Sequence, residues 1–418
     1  MVKSMRLRRI AVIAWLAMTL VSATACSLIF SPDQSVGSGR TRPRTVPELF
    51  VVHSLAETLT AVGLSSLGVI DSVDADVALV GSIPNHLLAV GNQLVVTSSG
   101  ENRLVVLDID TLQRVAVIDL GSGRNPYTST ALSDNESDPA FGLVATTNWL
   151  TDTVSVSNLA TRRVIHRDHA GSHQRAEFSV GPRPQAVVAL PGDNPGHMRI
   201  VTANTNFSAG SFGVATLTEL TVSIEESGNV TEPVSVELEA ARSVPLSHNG
   251  QGAEGLNPTA LIVLPDAGPH GTLVVVGSGT NTGGGTDDGV VLFLNAGTLV
   301  VEQRLTVGGS PGSGAAFVSA FDSFVVLAGI EGLRAVRFDA GTNQWVGGDL
   351  LIAAAPGGSG LSFFSDIAVV EEYAYVSDFQ NNRLLGYQLA VDAEDGLSLN
   401  PVSSTSLSQG PIALRVVR

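Results

Sequence analysis

The chain has 418 residues, of which 44% are apolar, 5% aromatic and 15% charged, and it contains 44 glycines and one cysteine. This apolar content can fill a large core and excludes a disordered chain, while a single cysteine excludes an internal disulfide framework. Acidic residues outnumber basic ones by 39 to 23, for a formal net charge of −16. Such a surface repels phosphate backbones, so no nucleic-acid partner is expected.

Residues 1–25 have the pattern of a secretory signal peptide. A basic head precedes an apolar run over residues 10–25 that is short for a membrane span. The run ends in Ala-Thr-Ala followed by Cys26, and this tetrapeptide resembles the lipobox of bacterial lipoproteins. The resemblance implies cleavage before Cys26, lipidation of Cys26 by chains that include palmitate, and, because Ser27 follows, sorting to an outer membrane. The alternative is an ordinary secreted protein whose cysteine is incidental.

Residues 26–46 are predicted to form a flexible tether. Their sequence is rich in Ser, Gly, Pro and Arg and nearly lacks large apolar residues over residues 31–46. The alternative is an irregular loop that packs on the domain. Several acyl chains at Cys26 would anchor the protein essentially permanently. We therefore expect an acidic domain, residues 47–418, held at a bacterial cell envelope by a membrane anchor.

From residue 47 onward, short apolar runs alternate with Gly, Asn, Asp and Pro turns, which predicts an all-β domain. A unit of four strands recurs, and its clearest copy extends from Ser82 to Gly121. Repeat starts recur roughly every 50 residues, a period typical of propeller blades. The repeats begin at Pro84, Pro126, Pro184, Pro258 and Pro311, near Ser362, and at Pro411.

The last repeat start, Pro411, is followed by only one strand, and strand-like segments over residues 47–81 precede the first repeat start. We predict that these pieces form one blade, with Ile412–Val417 as its innermost strand. The fold class is therefore an all-β, seven-bladed β-propeller that is closed by its N- and C-terminal strands, which leaves no terminal blade with a bare edge. The alternatives are a linear array, a two-sheet sandwich, or a propeller of six or eight blades.

Two segments carry a family resemblance: LVVTSSGENRLVVLDIDT, residues 94–111, and YVSDFQNNRLLGY, residues 375–387. Together with the proline-started inner strands, they resemble the bacterial YVTN-type propellers, which overlap in sequence with lactonase-like propellers. The resemblance covers most of residues 47–418 and implies architecture. Function on such a scaffold depends on the site.

In propellers of this class, the loops that lead into the inner strands meet at one mouth of the central channel, where we expect a ligand to bind. Side chains beside the repeated prolines offer donors, acceptors and two cations that suit an anionic or sugar-like ligand. The alternative is that they satisfy turn backbone and line a water-filled channel. The predicted ligand-binding residues are Asn85, His86, Arg124, Tyr127, Arg183, Gln185, Asn257 and Thr259.

One catalytic arrangement is conceivable. The insertion over residues 244–256 contains His248 and Glu254 and directly precedes the inner strand that begins at Pro258. As a lid over the mouth, it could bring His248 and Glu254 to Arg183 as the acid, the base and the oxyanion-binding group for lactone hydrolysis. No GxSxG motif stands in a strand-to-helix setting, which disfavours serine hydrolase chemistry.

Two segments could hold a metal ion. His166, His169 and His173, with Asp168, suit zinc or nickel, but they interrupt an outer strand, and a solvated loop is the alternative. The glycine-rich run over residues 280–289 contains two aspartates but lacks the P-loop and EF-hand patterns. We interpret that run as a flexible hairpin. Neither a metal nor a cofactor is predicted.

Three functional hypotheses remain. The first is a lipid-anchored binding or scaffolding module for an envelope protein or glycan partner, because rigid repeats present a large surface with variable loops. The second is a lactonase-like hydrolase with its site at the channel mouth. The third is a purely structural envelope component. A catalytic constellation around one pocket would favour the enzyme, and a broad patch on a face would favour the binding module.

Overall fold

The computed structural model is a ring of seven antiparallel β-sheets, or blades, around a central channel. It describes residues 44, 47–66, 68–169, 172–175, 177–208, 211–226, 234–249, 251–253, 255–264, 271–279, 289–319, 323–330, 332–354, 363–392 and 396–417. The predicted signal peptide and Cys26 lie outside these residues. Among the described residues, no helix is long and apolar enough to cross a membrane.

Each of the first four blades builds outward from an inner strand that lines the channel. The chain begins in blade 1 with β1 (Glu48–His53), β2 (Thr58–Leu64) and β3 (Ile70–Leu79). Blade 2 comprises β4 (Pro84–Val90), β5 (Gln93–Ser98), β6 (Arg103–Asp108) and β7 (Arg114–Asp119), with a short 3-10 turn at Ser99–Glu101. Blade 3 comprises β8 (Pro126–Ala131), β9 (Leu143–Asn148), β10 (Thr153–Asn158), β11 (Arg163–Val164) and β14 (Glu177–Ser179), and the hairpin β12 (His166–His169) and β13 (Ser172–Arg175) separates the last two. Blade 4 comprises β15 (Pro184–Pro191), β16 (His197–Asn204), β19 (Thr216–Glu226) and β20 (Val234–Pro245), with the small hairpin β17 (Phe207–Ser208) and β18 (Ser211–Phe212).

The remaining three blades repeat the same plan. Blade 5 comprises β21 (Pro258–Leu264), β22 (Thr272–Gly277), β23 (Gly289–Asn295) and β24 (Val301–Val307). Blade 6 comprises β25 (Pro311–Val318), β26 (Ser323–Gly329), β27 (Gly332–Asp339) and β28 (Gln344–Ala354). Blade 7 comprises β29 (Phe364–Val370), β30 (Tyr373–Asp378), β31 (Arg383–Asp392) and β32 (Gly396–Ser406), and the last strand is β33 (Pro411–Val417).

The C-terminal strand closes the ring, as the sequence predicted. Strand β33 pairs antiparallel with β1 in a register that runs from Glu48 opposite Val417 to His53 opposite Pro411. It is therefore the inner strand of blade 1, whose order is β3-β2-β1-β33. The prediction of seven blades with one blade shared between the two chain ends is confirmed. The pairing leaves neither β1 nor β33 as a free inner edge.

Every inner strand carries a bulge close to its first residue. The register shifts between Pro84 and His86 in blade 2, and equivalent shifts occur near the start of the inner strand in the other six blades. Proline has no backbone N–H to donate, so it fits the first position of a strand at a sheet edge. The extra residue re-aims the side chains that follow it. The bulge thus repeats one local geometry seven times around the channel.

The hydrophobic core lies between neighbouring blades. One cluster joins Leu217 of blade 4 to Leu273 of blade 5, and another joins Val276 of blade 5 to Val325 of blade 6. Both faces of a blade are covered by its neighbours, so the middle strands have nearly continuous apolar runs. At the blade 5–6 contact, Trp345 stacks on Phe293 with ring centroids 4.4 Å apart.

The outer strand of blade 3 is interrupted, which agrees with the sequence analysis. Strands β11 and β14 both pair with β10, and the hairpin β12–β13 lies between them in sequence. In that hairpin His173 stands opposite Asp168 in the register. The interruption places this hairpin at the outer edge of blade 3, away from the inner strand β8.

Candidate functional site at the mouth of the channel

Strand direction determines which residues reach the mouth. Each inner strand starts at one end of the ring, and the turns between second and third strands return to that same end, which we call the mouth face. All eight predicted ligand-binding residues lie there. Asn85, His86, Tyr127, Gln185 and Thr259 are in inner strands, whereas Arg124, Arg183 and Asn257 are in the loops before them. Their role in ligand binding stays a prediction.

Polar side chains near the inner-strand starts bind the next inner strand. Asn85 Nδ2 donates to the carbonyl of Pro126 at 3.5 Å, and Thr259 Oγ1 donates to that of Pro311 at 3.4 Å. Ser365 Oγ makes the same bond to Pro411 O at 2.7 Å. These bonds join consecutive blades around the mouth. They give Asn85 and Thr259 a structural role that the sequence analysis had left as its alternative.

His86 is a neutral imidazole in the channel wall. Its Nδ1 accepts a long hydrogen bond from the backbone N–H of Ser129, at 3.4 Å. Burial, with a smaller contribution from the positive charge of Arg415, lowers the pKa of His86 to about 4. With Nδ1 as the acceptor, the ring proton is assigned to Nε2. His86 therefore offers one N–H donor.

Tyr127 and Gln185 form a pair across blades 3 and 4. Gln185 Nε2 donates to the Tyr127 hydroxyl oxygen at 3.2 Å. Burial raises the pKa of Tyr127, so the phenol keeps its proton and can donate it. Gln185 is only 5% exposed, and its Oε1 has no hydrogen-bond partner among the described residues. A buried acceptor of this kind costs free energy until a donor reaches it.

Asp366 is a channel residue that the sequence analysis missed. Its Oδ1 accepts from Ser313 Oγ at 2.6 Å and from its neighbour's backbone N–H, that of Ile367, at 2.9 Å, while Oδ2 accepts from Leu414 N at 2.8 Å. Burial raises the pKa of Asp366, and these three donors act against that effect. Asp366 stands two residues after the start of its strand, as His86 does. A search based on prolines passed it over because this strand begins with Phe364.

Arg415, in the closing strand, is the second residue that was missed. Its side chain is exposed to solvent, although the protein around it lowers the pKa of the guanidinium and the charge of Asp366 partly offsets that effect. Exposure together with desolvation fits a side chain in the channel. Among the described residues, no hydrogen bond or ion pair within contact distance satisfies its guanidinium. The strand pattern PIALRVV contains this one cation, and that was the available signal.

Outside the channel, the mouth face carries an aromatic cluster over blades 3 and 4, which we call the aromatic patch and define as Trp149, Arg183, Phe207 and Phe212. The Arg183 guanidinium lies 4.7 Å from the centroid of the Trp149 ring. Phe207 lies 6.2 Å from Trp149 and 4.9 Å from Phe212, between ring centroids. Sequence reasoning missed the aromatic residues because they lie in a turn and a short hairpin between second and third strands, and not beside the repeated prolines.

Two further features define the aromatic patch. Arg183 Nη1 donates to the backbone carbonyls of Trp149 and Leu150, at 3.1 and 3.3 Å, which holds the guanidinium against the ring. Leu150, 43% exposed, and Val214, 45% exposed, add aliphatic surface to the same turns. The result is a fixed cation, aromatic rings and exposed aliphatic groups on one face.

The described contacts do not assemble the catalytic arrangement of His248, Glu254 and Arg183. His248 Nδ1 donates to the carbonyl of Val301 at 3.0 Å, in the outer strand of blade 5, and its Nε2 accepts from Asn249. Arg183 is engaged with the Trp149 turn. Glu254 lies outside the described residues.

The insertion over residues 244–256 also differs from the expected lid. Its apolar residues Leu246, Ala253 and Leu256 are buried in the core between blades 4 and 5. Arg304, in the outer strand of blade 5, donates to the carbonyl of Gly252 at 3.3 Å. Burial of these side chains fixes the described part of the insertion along the outer strand of blade 5, so it is not a free flap over the channel.

The two remaining loop candidates have local partners. Arg124 Nη2 donates to Glu177 Oε2 at 2.7 Å, and Glu177 Oε1 accepts from Thr153 Oγ1 at 2.6 Å. Asn257 Nδ2 donates to Ser278 Oγ at 2.6 Å. Both therefore support the mouth-face loops.

The side chains of the candidate metal-binding residues are not among those that the structure describes. For His166, Asp168, His169 and His173 the structure describes the backbone but not the side chains, and residues 280–288, with Asp287 and Asp288, are outside it altogether. Among the residues whose side chains are described, no group of three His, Cys, Asp or Glu is placed to hold a metal ion.

Solved structures share the fold at low sequence identity. A putative 6-phosphogluconolactonase from Bacteroides uniformis is 12% identical, with a TM-score of 0.59, over 89% of this chain and 99% of that one. One from Bacteroides fragilis is 12% identical, with a TM-score of 0.54, over 90% and 100%. Kuenenia stuttgartiensis hydrazine synthase is 12% identical, with a TM-score of 0.53, over 80% and 95%. No family model and no curated protein matches the sequence. The likeness is one of fold, and proteins with different names share it.

Proposed function

We propose that this protein is a binding module of the bacterial cell envelope that holds a protein partner on its mouth face, through the aromatic patch. The main support is the stacking of the Arg183 guanidinium on the Trp149 ring, 4.7 Å from its centroid, beside the exposed side chain of Leu150. Trp and Arg are enriched among the residues that dominate binding energy at protein interfaces. A side chain held by stacking and hydrogen bonds loses little entropy when a partner binds.

The surroundings of Trp149 favour a protein over a glycan. A sugar ring stacks on an open aromatic face, but Arg183 covers the Trp149 ring and Phe207 lies beside it at a 33° interplanar angle. Exposed aliphatic side chains, those of Leu150 and Val214, lie in the same turns. Aliphatic and aromatic surface with one fixed cation suits the centre of a protein interface.

The proposal includes a lipid anchor at Cys26, which rests on the sequence pattern. The position at which the chain enters the propeller supports an orientation in which the mouth face points away from the membrane. Arg44, just before β1, forms an ion pair with Asp110 at 3.0 Å. Asp110 lies in the turn between β6 and β7, on the face opposite the mouth. The tether would leave from that opposite face, so the aromatic patch would point away from the membrane.

The partner test compares two aromatic substitutions on the same face. Affinity capture from detergent-solubilised envelopes, followed by a pull-down with the purified partner, is run with Trp149→Ala and with the control Phe379→Ala, in the mouth-face turn of blade 7. We expect a protein that binds the wild type and the control but binds Trp149→Ala at least tenfold more weakly. Equal capture by both variants would refute the aromatic patch as the binding surface. A glycan as the only ligand would refute a protein partner.

The anchor test uses Cys26→Ser. The wild type should incorporate labelled palmitate and remain with the membrane fraction after a high-salt wash, because several acyl chains bury many methylene groups. The variant should carry no label. An unlabelled wild type in the aqueous fraction would show that the cysteine is incidental.

One assay tests the alternative that the protein is a hydrolase. Turnover of a lactone that is lost on Arg183→Ala or on His248→Ala, together with no specific partner in the capture, would reverse the proposal.

A further inference from the structure

The upper channel contains a second set of polar groups that the aromatic patch does not use. Four consecutive blades contribute one side chain each: Arg415 from blade 1, His86 from blade 2, Tyr127 from blade 3 and Gln185 from blade 4. Their strands are neighbours around the ring, because β33 closes blade 1 next to β4. These groups therefore share one side of the channel.

Three of these side chains have hydrogen-bond donors to spare. The Arg415 guanidinium has no hydrogen bond among the described residues. His86 accepts at Nδ1 and therefore has its N–H at Nε2. The Tyr127 hydroxyl accepts from Gln185, which leaves its proton available. A planar guanidinium flanked by neutral donors binds a carboxylate well, because it offers two parallel N–H bonds to the two oxygens.

Gln185 supplies an independent observation. Its side chain is 95% buried, since only 5% is exposed, yet Oε1 has no donor among the described residues. The amide nitrogen is already bonded to Tyr127 at 3.2 Å. A ligand hydroxyl would satisfy this acceptor, and a purely anionic group such as acetate would not. The site is thus complementary to a ligand that has both a carboxylate and a hydroxyl group.

Asp366 lies next to Arg415, in the inner strand of blade 7, on the other side of β33 from His86. Both of its oxygens accept donors from the protein, including the backbone N–H of Leu414, next to Arg415. These bonds keep its carboxylate on the wall, and its distance from Arg415 is too long for an ion pair. The neighbouring carboxylate therefore does not occupy the hydrogen-bond donors of Arg415, which are left for a bound monoanion.

We propose that the upper channel binds a small hydroxy-carboxylate, with the carboxylate on Arg415, further donors from His86 and Tyr127, and a ligand hydroxyl donating to Gln185 Oε1. This site is distinct from the aromatic patch and does not depend on a protein partner. A sugar acid or an aliphatic hydroxy acid has the required chemistry.

The test uses two sugars that differ only in their carboxylate. Isothermal titration of the full folded domain with D-galacturonate should give a saturable heat, whereas D-galactose, with the carboxylate replaced by a hydroxymethyl group, should bind at least tenfold more weakly. Acetate, which lacks the hydroxyl, should also bind at least tenfold more weakly. Equal binding of all three ligands would overturn the proposal. So would the absence of galacturonate binding at about 10 mM, a concentration that would detect a dissociation constant of about 1 mM.

Variants assign the binding to the channel. Arg415→Gln should weaken galacturonate binding at least tenfold, and Arg114→Gln, the same charge change on the exposed outer strand of blade 2, should leave it unchanged. Gln185→Leu is a second variant that still tests the site if Arg415→Gln does not fold. It removes a buried acceptor without a partner, so the domain should melt no earlier than the wild type and yet bind more weakly. Wild-type affinity in Arg415→Gln or in Gln185→Leu would refute the site.

Discussion

The backbone N–H of Leu414 donates to Oδ2 of Asp366 at 2.8 Å, which joins the last strand of the chain to the inner strand of blade 7. On its other side, the same strand pairs with β1 along its whole length. Strand β33 is thus held by the first strand of the chain and by the last complete blade. Closure of the ring therefore requires both contacts of β33, the pairing with β1 and the hydrogen bond to blade 7.

Deletion of residues 411–418 should therefore prevent soluble folding. The truncation exposes β1 as an unpaired edge and uncovers core residues such as Phe50 and Val52. It also leaves the buried Asp366 without one of its donors. The measurement is the yield of soluble monomer and its thermal unfolding by circular dichroism.

A circular permutant is the control for this deletion. Glu48 and Val417 are opposite each other in the register, so a short linker can join them. The chain can then be opened in the exposed turn at Gly341–Thr342 of blade 6. All strands are retained, and we expect a melting temperature near that of the wild type. A normally melting monomer from the truncation would contradict the role of β33.

The free energy of unfolding should fall with acid because of His53, which lies in β1 opposite the start of β33. His53 is fully buried, its Nε2 is 2.8 Å from Thr60 Oγ1, and burial lowers its pKa from 6.5 to about 4. The unfolded chain binds this proton more tightly, so the contribution is complete above pH 6.5 and is lost as the pH falls towards 4. The shift corresponds to about 3 kcal/mol. Urea unfolding of the wild type and of His53→Gln at pH 7 and pH 4.5 measures it.

His197→Gln is the matched control for this pH dependence. The pKa of His197 is raised by a hydrogen bond that its ring donates to the backbone carbonyl of Pro195, and by Glu239, so its contribution is present at low pH and is lost as the pH rises. Removal of His53 should flatten the decline in stability between pH 7 and pH 4.5, and removal of His197 should not. An unchanged slope in His53→Gln would contradict the assignment.

The two tryptophans of blades 3 and 6 should differ sharply in their effect on stability. Trp345 is buried and stacks on Phe293 at 4.4 Å, so Trp345→Ala should lower the free energy of unfolding by about 3–5 kcal/mol. Trp149 lies on the mouth face against Arg183, and Trp149→Ala should cost about 1 kcal/mol. Urea denaturation compares the two. A similar cost for both would mean that Trp149 is a core residue and not part of a binding surface.

Ile83 should be a site where glycine stabilises the protein. Its φ is 49°, a left-handed value that a β-branched residue adopts at a cost of about 1–2 kcal/mol. Its carbonyl accepts from Ser99 N at 3.1 Å, which glycine would preserve. Ile83→Gly should therefore unfold at a denaturant concentration equal to or above that of the wild type. Asn125→Gly, at φ 51°, is the control and should change little, because asparagine tolerates this region. A clear loss of stability in Ile83→Gly would show that side-chain burial outweighs backbone strain.

Local patterns determined the architecture. Alternating apolar runs, turn residues and a proline at most inner-strand starts repeat along the chain, and each signal lies within a few residues of the strand that it predicts. Six complete copies of one unit, with an incomplete copy at each end, were enough to predict the closed ring. Even the interruption in the outer strand of blade 3 was visible, because HRDHAGSH breaks an apolar run.

The tertiary structure decided which side chains meet. Arg415 and His86 are more than 300 residues apart in sequence, and only ring closure makes their strands neighbours. Arg183 directly precedes the repeat start Pro184, but its partner is a tryptophan in a turn of the preceding blade. His248 precedes an inner strand, yet burial of Leu246 and Leu256 carries the insertion to the outer strand of blade 5. Sequence periodicity specifies each blade, whereas the packing between blades, which no local pattern encodes, places the functional groups.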